Sequence, residues 1–165
     1  MFGVTILRNP KIKLQKFTDY FKGFDKVEAV RKIFGEDTEK ILSKLKVEFY
    51  SSRFSYMGVS NEDGHLMVST YYLSHGSERD IYLDVVHELV HVKQFMDGKE
   101  LFDDRYAYVD RPTEIEAYEI GVSEAKRIGM TNQEIIEYLK TEWMSDNDLS
   151  RLSNILSLTM NKSKE

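Results

Sequence analysis

The chain of 165 residues contains no cysteine, only two prolines, four histidines and one tryptophan. Without cysteine there is no disulfide framework, no thiolate metal ligand and no thiol nucleophile, so any metal must be held by His, Asp, Glu or water. No run approaches the roughly 20 apolar residues of a membrane span. The Phe2–Leu7 stretch is too short for a secretory leader and lacks a basic segment before it. A cytoplasmic protein with no membrane span is expected. Basic residues are not in excess either: 23 Lys and Arg stand against 28 Asp and Glu, a net charge of −5. Their scatter argues against a nucleic-acid surface, although Lys11, Lys13, Lys16 and Lys22 leave room for a local basic face. There is no internal repeat and no low-complexity linker, so a single domain over residues 1–165 is expected.

Against this background one stretch carries chemistry. His87-Glu88-Leu89-Val90-His91 is an HExxH string. On a helix its two histidines stand one turn apart on one face, where both imidazoles can bind one Zn²⁺, and Glu88 lies beside them as a general base for water at the metal. A chance match is expected about once in a hundred shuffles of such a composition. The surrounding Val85, Val86, Leu89, Val90 and Val92 make the chance reading less attractive, because they supply the dry wall a zinc helix needs.

The order of elements predicts an α+β fold. Apolar residues recur at helical spacing from Lys26 to Lys46 with a break at Gly35-Glu36-Asp37, predicting two short helices or one interrupted helix. Val47–Val59 and Leu66–Leu73 read as strands joined through Asn61-Glu62-Asp63-Gly64, an antiparallel hairpin over about 47–73. Ser77, three residues ahead of Asp80, opens a helix that runs through HELVH to about Met96 and stops at Asp97-Gly98. Leu101–Arg111 is polar and reads as a loop; Pro112-Thr113 starts a second long helix to Ile128, closed by Gly129. Helices over Asn132–Trp143 and Asp146–Met160 complete the chain, their apolar residues reading as core.

A catalytic zinc site keeps three protein ligands and one open position. No histidine follows His91, which leaves a carboxylate as the third ligand; nine acidic residues from Asp97 to Glu124 lie within reach in sequence. Projected at about 100° per residue, Glu114 falls in the middle of an apolar face with Tyr118, Gly121, Val122, Ala125 and Ile128. A carboxylate there is costly unless a cation compensates it, which favours Glu114. Glu116 falls nearly opposite and fits a capping box with Thr113, while Glu119 joins a solvated side. A rotated or earlier-starting helix would let either of them replace Glu114. The small residues Ala117, Gly121 and Ala125 suggest a close approach to the HELVH helix.

HELVH followed by Glu114-Ile115-Glu116-Ala117 resembles the gluzincins, in which a Glu on a second helix completes a His/His/Glu zinc site. Within that group it is most similar to the small soluble minigluzincins and to the catalytic domains of CAAX prenyl-peptidase-like and heat-shock membrane peptidases, whose ExEAD-type string begins with the zinc-binding Glu. The resemblance covers about Asp84–Ala125 and implies a zincin-like domain: a hairpin or small sheet packed on an active-site helix and a glutamate helix. It also implies His87, His91 and Glu114 as zinc ligands. The pattern is broken at Tyr118, where it usually has an Asp that orients a histidine; the Tyr118 hydroxyl, Asp110 or a backbone carbonyl could take that part.

The expected function is a zinc-dependent hydrolase, a soluble metallopeptidase acting on a peptide or protein substrate with Glu88 as general base. Tyr106, Tyr108, Tyr118 and His75 are the candidates for a donor to the oxyanion, and Leu66–Leu73 is the candidate strand edge for pairing with substrate. The alternative is a zinc-binding regulatory or interaction module with little turnover, and a weaker one is a metal-free structural helix. His65, following a turn, is expected at the surface.

Overall fold

The computed structural model describes residues 2–158, which form six strands and eight α-helices with three short 3-10 turns between them. The first part of the chain is strand β1 (Thr5–Ile6), strand β2 (Leu14–Lys16), helix α1 (Phe17–Tyr20) and strand β3 (Phe21–Lys22). Helices α2 (Glu28–Phe34) and α3 (Thr38–Lys44) follow, separated by a single 3-10 turn at Gly35–Asp37, as the periodicity break predicts. Next come strands β4 (Lys46–Tyr50), β5 (Met57–Val59) and β6 (Leu66–Ser69) and helix α4 (Thr70–His75). Four helices close the described chain: α5 (Glu78–Met96), α6 (Pro112–Arg127), α7 (Asn132–Leu139) and α8 (Asp146–Ile155). The fold is α+β. No described helix is long and apolar enough to cross a membrane. The cluster Lys11, Lys13, Lys16 and Lys22 is solvent-exposed.

The sheet differs from the expected hairpin over 47–73. β1 and β3 pair antiparallel as a two-stranded ribbon, and the larger sheet is mixed, in the order β2-β4-β6-β5. β4 runs parallel to β6, with Val47 opposite Leu66 and Tyr50 opposite Ser69, so the true hairpin is β5 with β6. The cause lies at the C-terminal end of β6. The Ser69 hydroxyl donates to the Ser52 carbonyl, the Ser69 amide to the Tyr56 carbonyl 2.9 Å away, and the Thr70 hydroxyl to the Tyr50 carbonyl at 3.3 Å. These bonds wrap residues 51–56 around the end of β6 and deliver β5 to its other side. Strand character also stops early, because the Ser69 hydroxyl caps α4 by accepting from the Tyr72 amide. β6 is therefore an inner strand with Leu66 and Val68 fully buried, and the edge expected at Leu66–Leu73 is instead β5. The turn between β5 and β6 uses Gly64 at φ +78, where a Cβ would sit 2.4 Å from the Phe95 ring. Only glycine combines that backbone with that neighbour.

The two long helices begin and end close to where their signals place them. Ser77 caps α5 by accepting from the Asp80 amide at 3.1 Å, and α5 stops one residue before Asp97-Gly98. α6 starts with Pro112 at its first position and ends two residues before Gly129. The capping box expected at Thr113 and Glu116 does not form: Arg111 is the N-cap residue, Thr113 lies inside the helix, and its buried hydroxyl has no hydrogen-bond partner. α7 ends at Leu139, short of Trp143, because the chain turns extended at Lys140 before Ser145 caps α8. α8 ends at Ile155; the expected extension to Met160 reaches outside the described residues.

α5 is buried on nearly every side, with Ile81, Leu83, Val85, Val86 and Leu89 at 0% exposure. At about 1.5 to 3 kcal/mol per buried aliphatic side chain, this core contribution locks its rotation. One stripe stays polar: Asp80, Asp84, His87, Glu88, His91 and Gln94 lie within about 120° of one another around the helix axis. Rotation being locked, that stripe can face only the cleft between β5, α6 and α7.

Candidate metal centre

His87 and His91 stand one helical turn apart on α5, and Glu114 faces them from the first turn of α6. The three are buried, each with 8% exposure or less. His87 Nε2 lies 3.2 Å from Glu114 Oε2, His91 Nε2 lies 3.2 Å from Glu114 Oε1, and the two Nε2 atoms are 3.2 Å apart. The three side chains form a close triangle in which the carboxylate meets each imidazole nitrogen through a different oxygen. Zn²⁺ ligands at about 2.0–2.1 Å in a tetrahedron lie about 3.3 Å apart, close to the spacing of these contacts. Among the described residues it is the one group of three or more His, Asp or Glu side chains close enough to hold a metal ion.

Hydrogen-bond chemistry makes the same point independently of the distances. Gln94 Nε2 lies 2.9 Å from the Thr113 carbonyl and 3.0 Å from Glu116 Oε1, two acceptors, so this end of the amide must be its nitrogen. Gln94 Oε1 therefore faces His91 Nδ1, 2.7 Å away, and that ring nitrogen donates. In the neutral imidazole the other nitrogen, Nε2, then carries a lone pair aimed at a carboxylate and at a second imidazole nitrogen. The lone pair of His91 Nε2 and the Glu114 carboxylate converge on one point and repel unless a proton or a metal cation lies between them. The residues present fit a divalent metal held by two imidazoles and a carboxylate.

A proton is the smallest cation that can meet this demand. Burial disfavours the charged His91, but the hydrogen bond to Glu114 and the negative charges of Glu88 and Glu114 outweigh it and raise the pKa to about 9. Burial likewise pushes Glu114 up, and its hydrogen bonds and charge contacts with His87 and His91 reverse that, holding it well below the usual carboxylate range. Glu88 is partly buried at the cleft and is raised by that burial against the opposing pull of His91 and His87.

The other carboxylates within sequence reach are engaged elsewhere. Asp103 pairs with Arg105 at 2.7 Å, Asp110 with Arg151 at 3.3 Å, and Glu119 is exposed. Glu124 is as buried as Glu114 but accepts from the Tyr82 hydroxyl at 2.7 Å and from Arg127, a structural pair that locks α6 onto α5. Asp110 and the Tyr118 hydroxyl do not orient a histidine. Gln94 does so for His91, and Tyr118 instead packs its ring on His87 at 4.5 Å while its hydroxyl bonds the Tyr108 hydroxyl at 2.8 Å. Gln94 and its anchor Glu116 were readable as polar residues on the metal-facing stripe and its partner helix, but they sat inside strings read as apolar wall and capping box.

Two recesses open beside the triangle. One of about 110 Å³ is lined by Met57, Gly58 and Val59 of β5 together with Glu88, His91 and Glu114. The other, of about 80 Å³, holds Asp84, His87 and Glu88 beneath Tyr56, Tyr138 and Trp143. Tyr108 lines both, whereas Tyr106 is exposed and lines neither. His75 stacks on Tyr71 at 4.1 Å and is likewise absent from both linings. His65 is largely covered, bonding Glu48 at 2.7 Å and Asp63, and does not belong to this site. A larger groove of about 350 Å³ between α2 and α6 contains none of the three ligands.

No protein-family model matches the chain, and neither a curated protein nor a solved structure matches it.

Proposed function

We propose that the protein is a zinc-dependent hydrolase, a metallopeptidase of the gluzincin kind, in which His87, His91 and Glu114 hold Zn²⁺ and Glu88 is the general base. The convergence of two imidazoles and a carboxylate at contacts of 3.2 Å, with Glu88 on the wall of the same cleft, carries this reading. A non-catalytic zinc site has no use for a carboxylate at position 88. Two imidazoles and a carboxylate, with no sulfur donor, suit zinc with an open fourth position. When bound, the metal supplies Lewis acidity, lowering the pKa of water and polarising a carbonyl.

The chain's own groups supply the rest. Glu88, on the helix face between the two recesses, takes a proton from the attacking water and returns one to the leaving amine. Tyr108, reaching both recesses and paired with Tyr118, is the best-positioned donor toward a developing oxyanion. β5 has an unpaired edge beside the cleft, so an extended peptide or protein substrate adds to it as an antiparallel strand. Gln94, held by Glu116, keeps His91 in the tautomer that presents Nε2.

The test is peptide cleavage by the zinc-loaded protein and by Glu88→Gln. The wild type is expected to cut, and Glu88→Gln to lose at least about 100-fold in kcat while retaining zinc. Cleavage that survives Glu88→Gln defeats the mechanism.

One observation favours a second reading, a zinc module with little turnover. Trp143, in the connection between α7 and α8, packs against Tyr56 at 5.8 Å and Tyr108 at 6.5 Å over the smaller recess. Stoichiometric zinc without cleavage of any peptide in a diverse library identifies that case.

A further inference from the structure

Asp84 lies one turn before His87 and Glu88 on the same face of α5, and it has no part in the triangle. Its two carboxylate oxygens each accept a tyrosine hydroxyl, Oδ1 from Tyr138 and Oδ2 from Tyr72. Among the described residues no Lys or Arg pairs with it. The carboxylate lines the recess it shares with His87 and Glu88, and also an adjoining one of about 200 Å³ whose walls include Tyr56, Tyr138 and Thr141. A negative group thus lies inside an aromatic-walled cavity that begins at Glu88.

Three further features match one ligand chemistry. Tyr56, Tyr138 and Trp143 line the recess, and aromatic walls of this kind suit an aliphatic stem and a cationic head. The Thr141 hydroxyl oxygen is buried, lines both recesses and has no hydrogen-bond partner. Glu137 adds negative charge at the outer rim, where Lys140 also stands, and Asp80 beside it is paired with Arg79 at 3.2 Å.

We propose that this recess is the specificity pocket of the site, and that Asp84 selects a substrate with a basic side chain, Lys or Arg, on the residue that follows the scissile bond. The side of the bond follows from β5. A substrate paired antiparallel to β5 runs from Val59 toward Met57, and Tyr56 and Met57 line this recess whereas Met57, Gly58 and Val59 line the other. The residue after the scissile bond therefore faces Asp84. The tyrosine hydroxyls hold the carboxylate in place while leaving lone pairs for the incoming cation. The proposal rests on the hydrolase reading, and the experiment separates the two.

The full-length zinc-loaded protein is assayed on matched peptides that differ only in the residue after the scissile bond: Lys, Arg, Leu or Glu. The wild type is expected to favour Lys and Arg over Leu by about 10- to 100-fold in kcat/KM, the range of one charge-assisted hydrogen bond. In Asp84→Asn, which keeps the shape and can still bond both tyrosines, the preference is expected to shrink to less than about threefold. Trp143→Ala, at an exposed rim position, serves as the second variant and is expected to raise KM for the Lys peptide more than for the Leu peptide. No basic preference in the wild type, or a preference unchanged in Asp84→Asn, overturns the proposal. If Asp84→Asn does not fold, an unchanged Lys-to-Leu ratio in Trp143→Ala does the same. If no peptide is cut, the hydrolase reading fails, and calorimetric binding of arginine amide decides the pocket. Binding weakened at least about tenfold by Asp84→Asn upholds the cationic site, and no wild-type binding overturns it.

Discussion

Gln94 Oε1 lies 2.7 Å from His91 Nδ1, and the two acceptors on the far side of the amide, the Thr113 carbonyl and Glu116, leave only that orientation. One residue on α5 and two on α6 thus determine which nitrogen of His91 faces Glu114 and His87. Gln94→Leu removes the acceptor while keeping a side chain of similar reach. Zinc affinity is expected to fall about 10- to 100-fold, as for other partners behind a metal ligand. A competition titration against a fluorescent chelator measures it.

His91 should couple metal binding to protons. With its pKa raised to about 9 by Glu114 and Glu88, the metal-free protein carries that proton at neutral pH, and zinc must displace it. At pH 7.5 binding is expected to release about one proton from this residue, visible as a heat that varies with the ionisation enthalpy of the buffer. Apparent affinity should rise with pH and level off above about 9. The sign for folding follows from the same shift: His91 is raised above its unfolded value near 6.5, so its contribution in the metal-free protein is full below that value. It is lost as pH rises through about 9.

Asp84 loses stability in the same direction, at lower pH. Burial raises it to about 6 against the opposing hydrogen bonds from Tyr138 and Tyr72. Its native pKa exceeds the unfolded value of about 3.9, so the stability it contributes is present below that value and lost as pH climbs through about 6. The difference corresponds to at most about 3 kcal/mol, less in a cleft that water enters. Asp84→Asn is expected to raise the Tm at pH 8 and leave it nearly unchanged at pH 4. Thermal unfolding at the two pH values reads the difference.

Gly121 lies buried on α6, yet a Cβ built there meets nothing within 4 Å. Gly121→Ala is expected to stabilise the protein by about 0.5–1 kcal/mol through helix propensity alone, with no effect on zinc binding. Denaturant midpoints measure it.

The same residue shows where sequence reasoning stopped. A small residue on an apolar stripe suggests close helix contact, but only the packed structure tells which small residues are tightly enclosed; Ala117 and Ala125 are fully buried, while Gly121 has room to spare. What local chemistry encodes was legible: the Ser77 cap, the Pro112 start, the HExxH spacing and the place of Glu114 in the middle of an apolar face. Strand pairing was not, because the parallel register of β4 with β6 is set by Ser69 and Thr70 bonding back to residues 50, 52 and 56. Nor was the role of Asp84, since Tyr72 and Tyr138 reach it from helices distant in sequence. Its place on the metal-facing stripe was the available signal.

The proposed mechanism depends on whether His87, His91 and Glu114 hold zinc. Metal analysis with X-ray absorption on the wild type and on Glu114→Ala tests it most directly. One zinc per chain is expected, with nitrogen and oxygen neighbours only at about 2.0–2.1 Å, and an affinity loss of at least about 100-fold in Glu114→Ala. Substoichiometric zinc in the wild type, or wild-type affinity retained in Glu114→Ala, would contradict it.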